Sequence, residues 1–200
     1  MSSLASAFDL SPIVIFNDEE GGVRYWPALV DSDLSDAWFT ALRNDIEWRS
    51  AQRPMYDRIV DVPRLQATLE LSEQPSTSVL GQAMRLIQRE CAAPFTRVGL
   101  NFYRDGADSV AMHNDRMQFL EPGAPIAILS LGAARDMLIR RKDKRDGAKR
   151  IRLEPESLLV MSHASQRTHE HGIPKTKAGV GPRISCAFRV RTPSCGIDAA

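Results

Sequence analysis

The chain has 200 residues, 43% of them hydrophobic, and a formal net charge of +1 at pH 7. This size fits one globular domain with a real core, and three scattered cysteines argue against a disulfide framework. No apolar run approaches membrane-spanning length, and the opening MSSLASAFDLS lacks the features of a secretion signal. We therefore expect a soluble cytoplasmic protein that is monomeric and binds no membrane.

The first ninety residues contain two strand patterns followed by two helical patterns. IVIF (13–16) and GVRYWP (22–27) are typical of short strands joined by the acidic turn NDEEGG. Apolar residues at helical spacing predict helices over 33–48 and from about 77 to 91. The residues expected to face inward are Leu34, Trp38, Leu42 and Ile46 in the first helix, and Leu80, Met84, Ile87 and Cys91 in the second.

From residue 96 onward the pattern changes to short apolar or alternating runs separated by turns. These predicted strands are RVGLNFY, SVAMHND, PIAILSLG, DMLIRR, RIRLE, SLLVMS and RISCAFRVR. Many short strands after an early helical part favour an α+β fold in which helices back a β-sandwich or jelly roll. The ends, 1–10 and 192–200, are predicted to be frayed.

A histidine and a carboxylate stand two residues apart in AMHNDRMQF (111–119). If this stretch is a strand, His113 and Asp115 share a face. HASQRTHEHGIP adds three more histidines, at 163, 169 and 171. Two histidines and one carboxylate can form the facial triad of non-haem Fe(II) oxygenases, although an open zinc site uses the same ligands. The alternative for His113 and Asp115 alone is a half-exposed strand with no metal.

The last predicted strand places arginines on one face. In RISCAFRVR, Arg183 and Arg189 alternate with apolar residues, and in LNFY the side chains of Asn101 and Tyr103 lie opposite Leu100 and Phe102. Two guanidinium groups inside a barrel would be costly without an anion, and a dicarboxylate would meet that demand. The alternative is an exposed edge strand.

Together these segments resemble the AlkB family of Fe(II)/2-oxoglutarate dioxygenases, with consistent spacing from about Val62 to Arg191. The similarity lies in NFYRDGAD, MHND, GAPIAILSLGAARDMLIRRKD, SLLVMSHASQRTHEHGIP and PRISCAFR. The resemblance implies a double-stranded β-helix (jelly roll) core at about 96–191, under N-terminal helices and a substrate lid at about 11–95, in one domain spanning 1–200.

The resemblance also implies roles for individual residues. His113, Asp115 and His171 would be the iron ligands, with His171 preferred over His169 because it directly precedes Gly-Ile-Pro. Arg183 would pair with the distal carboxylate of 2-oxoglutarate, which Asn101 and Tyr103 would also contact, and Arg189 would lie beside Asp115. The family couples conversion of 2-oxoglutarate and O2 to succinate and CO2 with hydroxylation of a C–H bond.

The lid motif VPRLQAT (62–68) resembles that of members acting on alkylated bases, which extrude the target nucleotide. Tyr56, Arg64, Gln66 and Met117 are therefore candidate substrate-binding residues, and DNA is expected rather than RNA. Met117 departs from the family pattern, because repair enzymes for 1-methyladenine and 3-methylcytosine have an acidic residue there. Tyr56 could equally be a simple hairpin residue.

Residues 135–152 contain nine Lys and Arg against three Asp. This predicted hairpin, with Asp146-Gly147 as its turn, could hold phosphates or could be a solvated loop.

The sequence leaves several functions open. The first is oxidative dealkylation of nucleic acid, with release of succinate, CO2 and an aldehyde. A dioxygenase of the same fold could instead act on a protein or a small molecule. A binding module without iron and a zinc hydrolase are the remaining alternatives.

Overall fold

The computed structural model describes residues 11–55 and 58–192. The strands are β1 (Ile13–Phe16), β2 (Val23–Trp26), β3 (Arg49–Met55), β4 (Arg58–Glu70), β5 (Arg97–Tyr103), β6 (Val110–His113), β7 (Ile126–Gly132), β8 (Arg135–Arg141), β9 (Lys149–Leu153), β10 (Leu158–Met161), β11 (His169–Ile173) and β12 (Arg183–Arg189). The helices are α1 (Ser32–Asp45), α2 (Val79–Glu90) and α3 (His163–Thr168).

Two antiparallel sheets form the body of the fold. The larger has the order β1-β2-β10-β7-β12-β5-β4-β3, and the smaller has the order β6-β11-β8-β9. Apolar residues of both sheets, such as Ile128 of β7 and Met137 of β8, form one core cluster between them. Two facing antiparallel sheets of this kind make a jelly roll, as the sequence predicts.

The two long helices cover the outer face of the larger sheet. Trp38 and Leu42 of α1 and Leu80 and Ile87 of α2 join a second core cluster with the outward side chains of β5 and β12. The α2 prediction is confirmed, with Met84 and Cys91 partly buried against this cluster.

The α1 prediction is right at the start of the helix but wrong at its C-terminal end and for Leu34. The helix ends at Asp45 rather than at residue 48, and Leu34 is 37% exposed rather than buried. Its buried residues are Ser35, Trp38 and Leu42. Because a helix has about 3.6 residues per turn, a strict spacing of four drifts steadily off the buried face. Leu34 therefore lies beside the buried stripe instead of within it.

The strands β1 and β2 lie where the sequence predicts them, but they belong to the same sheet as the later strands. The β3–β4 hairpin also extends this sheet, since β4 pairs with β5 along Leu65–Glu70. The segment that the sequence assigns to helices and lid thus supplies four strands of the larger sheet. Strand β11 and helix α3 are not among the predicted elements. No helix in the described ranges is long and apolar enough to cross a membrane.

Candidate active site

Two histidines lie side by side on neighbouring strands of the smaller sheet. His113 of β6 and His171 of β11 are partners in the strand register, and their ring centroids are 4.5 Å apart. With Asp115 they form a cluster whose possible ligand atoms all lie within 4.8 Å of one another. Strand β6 ends at His113, so Asp115 lies in the following loop, and the prediction that both residues share one strand is wrong. The loop still brings the carboxylate to the histidines.

Hydrogen bonds orient two members of this cluster. The Asp115 backbone N–H donates to Oε1 of the buried Gln166 at 3.0 Å. His113 Nδ1 lies 3.0 Å from the carbonyl oxygen of Ala111. When Nδ1 carries the proton and donates to this oxygen, Nε2 keeps a lone pair for a metal.

The protonation states in the cluster favour cation binding. Burial, together with the charge of His113, lowers the pKa of His171 to about 3, so its imidazole is neutral at physiological pH. Burial alone would raise the pKa of Asp115, but the charge and hydrogen bond of Arg189 outweigh it and hold that pKa below its usual value. An ionised carboxylate and a neutral imidazole suit a divalent metal ion.

The remaining histidines lie outside the cluster. His169 stacks on Phe16, with ring centroids 4.0 Å apart, and its Nδ1 lies 2.8 Å from Thr168 Oγ1. His163 is buried, with Nδ1 3.9 Å from Glu20 Oε1. The structure therefore places His171, and not His169, in the cluster. The alternation of strand β11 alone does not decide this, because both residues lie on the same face of the strand.

A cavity lies against the histidines, between the two sheets. It is lined by the inward side chains of β12 and β5 and by those opposite, including Asn101, Tyr103, His113, His171, Arg183 and Arg189. On the other face of β12, Ile184, Cys186 and Phe188 are fully buried in the outer core cluster. The predicted alternation of this strand is confirmed.

Arg183 is the deepest charged group in this cavity. It is only 1% exposed, and its Nη2 donates to Ser130 Oγ at 2.8 Å. Its Nε and Nη1 are buried and have no hydrogen-bond partner among the described residues. A buried guanidinium with unpaired donors fits a carboxylate ligand, which would accept one hydrogen bond from Nη1 and one from the second N–H of Nη2. The sequence analysis missed Ser130, whose alternation in β7 is its only signal.

The prediction that Arg135 contributes to a basic surface is wrong. It is 2% exposed, and its guanidinium donates to the carbonyl oxygens of Asp105, Asp108 and Pro174. It lies 5.6 Å from the centroid of the Tyr103 ring. Arg135 is thus a structural group behind the cavity, as its alternation with Met137 and Ile139 could have indicated.

The rest of the β8–β9 hairpin is also largely paired. Arg140 pairs with Glu170, Arg141 with Asp143 at 2.8 Å, and Arg150 with Asp136 at 2.6 Å. The chain turns at Lys142 and Asp143, with Lys144 in the left-handed region, instead of at Asp146-Gly147. These ion pairs hold several of the basic side chains in place, although the hairpin keeps an excess of basic over acidic residues.

The candidate substrate residues are placed only in part. On β4, Arg64 Nε donates to Asn101 Oδ1 at 2.7 Å, and Gln66 Nε2 donates to the same oxygen at 3.2 Å. Asn101 can therefore offer a ligand the donors of its Nδ2. Met117 is half-buried and begins a short 3-10 turn two residues after Asp115. Tyr56 lies outside the described residues.

Comparison with known proteins agrees with this chemistry. The model of the 2OG-Fe(II) oxygenase superfamily matches residues 70–190. The human DNA oxidative demethylase ALKBH2 is 31% identical over 177 residues, which cover 78% of this chain and 68% of that protein. The mouse alpha-ketoglutarate-dependent dioxygenase alkB homolog 3 is 28% identical over 190 residues, covering 86% of this chain and 66% of that protein.

A solved structure has the same fold. The structure of OsALKBH1 covers 90% of this chain and 100% of its own, with a TM-score of 0.59 and 14% sequence identity. The chain thus belongs to the AlkB-like proteins of the 2OG-Fe(II) oxygenase superfamily and is a dioxygenase that depends on Fe(II), 2-oxoglutarate and O2.

Proposed function

We propose that this dioxygenase removes alkyl groups from damaged bases in DNA, releasing succinate, CO2 and an aldehyde. The observation that carries the oxygenase chemistry of this proposal is the buried Arg183, whose unpaired donors share one cavity with His113 and His171. The name of the human relative, a DNA oxidative demethylase, supports the substrate class.

In this proposal, His113, Asp115 and His171 hold Fe(II). Three protein ligands would leave room on the metal for the co-substrate and O2. The bound iron, with 2-oxoglutarate and O2, supplies the oxidation of a C–H bond. Hydroxylation of an N-methyl group puts a hydroxyl on the carbon attached to nitrogen. The C–N bond then breaks, giving formaldehyde and the restored base.

The residues around the iron ligands bind and orient the reactants. Arg183 grips the distal carboxylate of 2-oxoglutarate through a bidentate pair, and Tyr103 and the Nδ2 of Asn101 donate hydrogen bonds to the same molecule. Arg189 keeps Asp115 ionised and holds its carboxylate beside the two histidines. These contacts would hold the co-substrate beside the iron ligands.

The β3–β4 hairpin is the proposed substrate lid of a single monomeric domain. Arg64 and Gln66 both bind Asn101, so they join this hairpin to a residue of the co-substrate cavity. Closure of the lid over a flipped base would thus move Arg64 and Gln66, and with them Asn101 in the co-substrate cavity. Met117, close to Asp115 in sequence, would contact the base itself.

A panel of oligonucleotides tests the proposal. Each carries one alkylated base (1-methyladenine, 3-methylcytosine, 1-methylguanine, 3-methylthymine or ethenoadenine) and is incubated with Fe(II), 2-oxoglutarate and O2. Mass spectrometry should show the restored base for at least one lesion with wild type and for none with Asp115→Ala. Failure on every lesion, with 2-oxoglutarate still consumed, would contradict the DNA substrate.

One observation favours a second candidate function. Met117 offers a thioether where enzymes that repair cationic bases have a carboxylate, so nothing at this position selects a positive charge. A dioxygenase acting on a protein side chain or a small molecule fits this as well. Consumption of 2-oxoglutarate that peptides or metabolite pools stimulate, and oligonucleotides do not, would favour that candidate.

A further inference from the structure

The acidic turn NDEEGG (17–22) lies between β1 and β2, outside the residues that the superfamily model matches. The proposed function gives it no role. Two of its carboxylates hold the start of helix α3. Asp18 Oδ2 accepts a hydrogen bond from Ser162 Oγ at 2.6 Å, and Glu20 Oε2 accepts one from the Ala164 N–H at 2.5 Å. The first N–H groups of a helix have no partner inside it, so the acidic turn stabilises this end of α3.

The shape of the acidic turn is fixed by its own hydrogen bonds. Asp18 Oδ1 accepts from the N–H groups of Glu20 at 2.9 Å and Gly22 at 2.8 Å. Gly22 has a φ of 69°, and a Cβ there would lie 2.0 Å from the carbonyl oxygen of Phe16, so the turn needs glycine at this position. The Gly22 carbonyl oxygen also accepts from the Ser162 N–H at 2.8 Å. The acidic turn and α3 are therefore held in one relative position.

Helix α3 presents Gln166 to the loop that carries Asp115. Gln166 is 1% exposed, and its Oε1 accepts the Asp115 N–H at 3.0 Å. Its Nε2 donates to Ser165 Oγ at 3.1 Å, and Ser165 Oγ donates its only proton to the Ser162 carbonyl oxygen at 2.6 Å. Because Ser165 Oγ can only accept from Gln166, the amide group cannot turn over, and its oxygen stays toward Asp115.

The same two serines connect Gln166 to the acidic turn. Ser162 Oγ donates to Asp18 and accepts from the Ser165 N–H at 3.0 Å, which fixes Ser165 beside Gln166. A continuous series of hydrogen bonds thus runs from the acidic turn, through the first turn of α3, to the N–H of Asp115. The position of Asp115 therefore depends on a segment that is remote from it in the sequence.

We infer that Gln166 is a positioning residue for the iron site and that the acidic turn sets its place. The inference rests on the proposed role of Asp115 as an iron ligand. Arg189 binds the carboxylate of Asp115, whereas Gln166 fixes the backbone from which that carboxylate extends. Loss of a hydrogen-bond partner behind a metal ligand typically lowers metal affinity by about 10- to 100-fold. Gln166 thus acts on the metal through Asp115.

The test measures metal binding and coordination geometry without turnover. Co(II) is the probe, because its visible absorption changes with the number and arrangement of its ligands. Wild type, Gln166→Met and Gln166→Glu are titrated with Co(II) in the absence of 2-oxoglutarate. Methionine has nearly the length of glutamine but no oxygen, whereas glutamate keeps an oxygen for the Asp115 N–H. Gln88→Met is the matched control, since it removes a hydrogen bond from Gln88 Nε2 to the Ala93 carbonyl oxygen beyond the end of α2.

We expect Gln166→Met to bind Co(II) about 10- to 100-fold more weakly and with an altered visible spectrum. Gln166→Glu should recover most of the affinity and the wild-type spectrum, because an acceptor oxygen again faces the Asp115 N–H. Gln88→Met should match wild type in both measurements. Melting temperatures show which variants are folded. If Gln166→Met does not fold, Gln166→Asn takes its place, since the shorter side chain withdraws the oxygen from Asp115.

A second set of variants tests the acidic turn. Asp18→Ala should weaken Co(II) binding, because it releases Ser162 and with it the start of α3. Combined with Gln166→Met it should cause no further loss, since the effect of the acidic turn passes through Gln166. Glu19→Ala is the control and should match wild type, because Glu19 forms an exposed ion pair with Arg167 at 2.8 Å, which contributes little.

The inference is overturned if a folded Gln166→Met keeps the wild-type affinity and spectrum, or if Gln166→Glu is as impaired as Gln166→Met. The role of the acidic turn is overturned if Asp18→Ala matches wild type, or if it lowers the affinity of Gln166→Met as much as that of wild type. In each of these cases, loss of Co(II) binding in Asp115→Ala leaves the proposed iron ligands in place. If Asp115→Ala binds Co(II) as tightly as wild type, the ligand assignment fails and this inference fails with it.

Discussion

Arg189 Nε donates to Asp115 Oδ2 at 2.5 Å, joining a strand of the larger sheet to the loop that follows β6. The pair fixes the carboxylate of the candidate iron site from the opposite sheet. It also keeps the pKa of Asp115 below its usual value although burial would raise it. One arginine thus sets both the position and the charge of this ligand.

Replacing this arginine should make metal binding sensitive to acid. In Arg189→Met the largest of the effects that oppose the burial of Asp115 are lost, so the pKa of Asp115 rises and protons compete with the metal at higher pH. We expect Fe(II) affinity to fall more at pH 5.5 than at pH 7.5, measured by anaerobic titration. Arg140→Met, which breaks the pair with Glu170 on the β8–β9 hairpin, is the control. An equal loss at both pH values would contradict this role of Arg189.

Removing any one proposed iron ligand should abolish turnover. His113→Ala, Asp115→Ala and His171→Ala each leave two protein ligands, too few for a facial site. His169→Ala should keep substantial activity, because His169 stacks on Phe16 outside the cluster. The measurement is succinate release together with iron content. A folded, inactive His169→Ala beside an active His171→Ala would show that the ligand assignment is wrong.

Arg183→Lys should sharply raise the 2-oxoglutarate concentration needed for activity. An ammonium group cannot replace a bidentate guanidinium, and the site is buried, so a loss of about 2–5 kcal/mol in co-substrate binding is expected. The apparent affinity for 2-oxoglutarate, measured at saturating iron, checks this. Arg89→Lys, on the opposite face of the larger sheet, provides the control. An unchanged affinity in Arg183→Lys would remove Arg183 from the co-substrate site.

Met117→Glu should shift substrate preference toward cationic lesions. A carboxylate would attract 3-methylcytosine and accept a hydrogen bond from its exocyclic amine, whereas the thioether of Met117 offers only polarisable contact. The ratio of kcat/KM for 3-methylcytosine to that for ethenoadenine should rise about 5- to 30-fold. This corresponds to about 1–2 kcal/mol, the scale of a hydrogen bond to a charged group. Met117→Gln separates the effect of charge from that of polarity. A wild type already strongly biased to 3-methylcytosine, with no gain in the variant, would mean that another residue senses the charge.

Much of the candidate site could be predicted from local alternation. In β12 the period of two places Arg183 and Arg189 on the cavity face, and the structure agrees. Alternation could not choose between His169 and His171, which share a face of β11. That choice depends on the partner strand, because His171 lies opposite His113 while His169 lies opposite Arg141.

Long-range packing accounts for what the sequence did not predict. The inward face of Arg135 could be inferred from its alternation with Met137 and Ile139, but nothing local reveals that three carbonyl oxygens from two other segments surround its guanidinium. The cavity lined by Asp115 and Arg189 likewise draws on residues of β4, β5, β12 and the loop after β6, from Thr68 to Arg191. Such clusters arise only when the sheets come together.

The stoichiometry of succinate, formaldehyde and restored base tests the account most directly. Wild type is incubated with Fe(II), 2-oxoglutarate, O2 and a strand carrying one N-methylated base that it repairs. The account predicts equal amounts of the three products, stopping when the lesion is consumed, and no formaldehyde with Asp115→Ala. Succinate release that is the same with methylated and unmethylated strands, without formaldehyde, would contradict it.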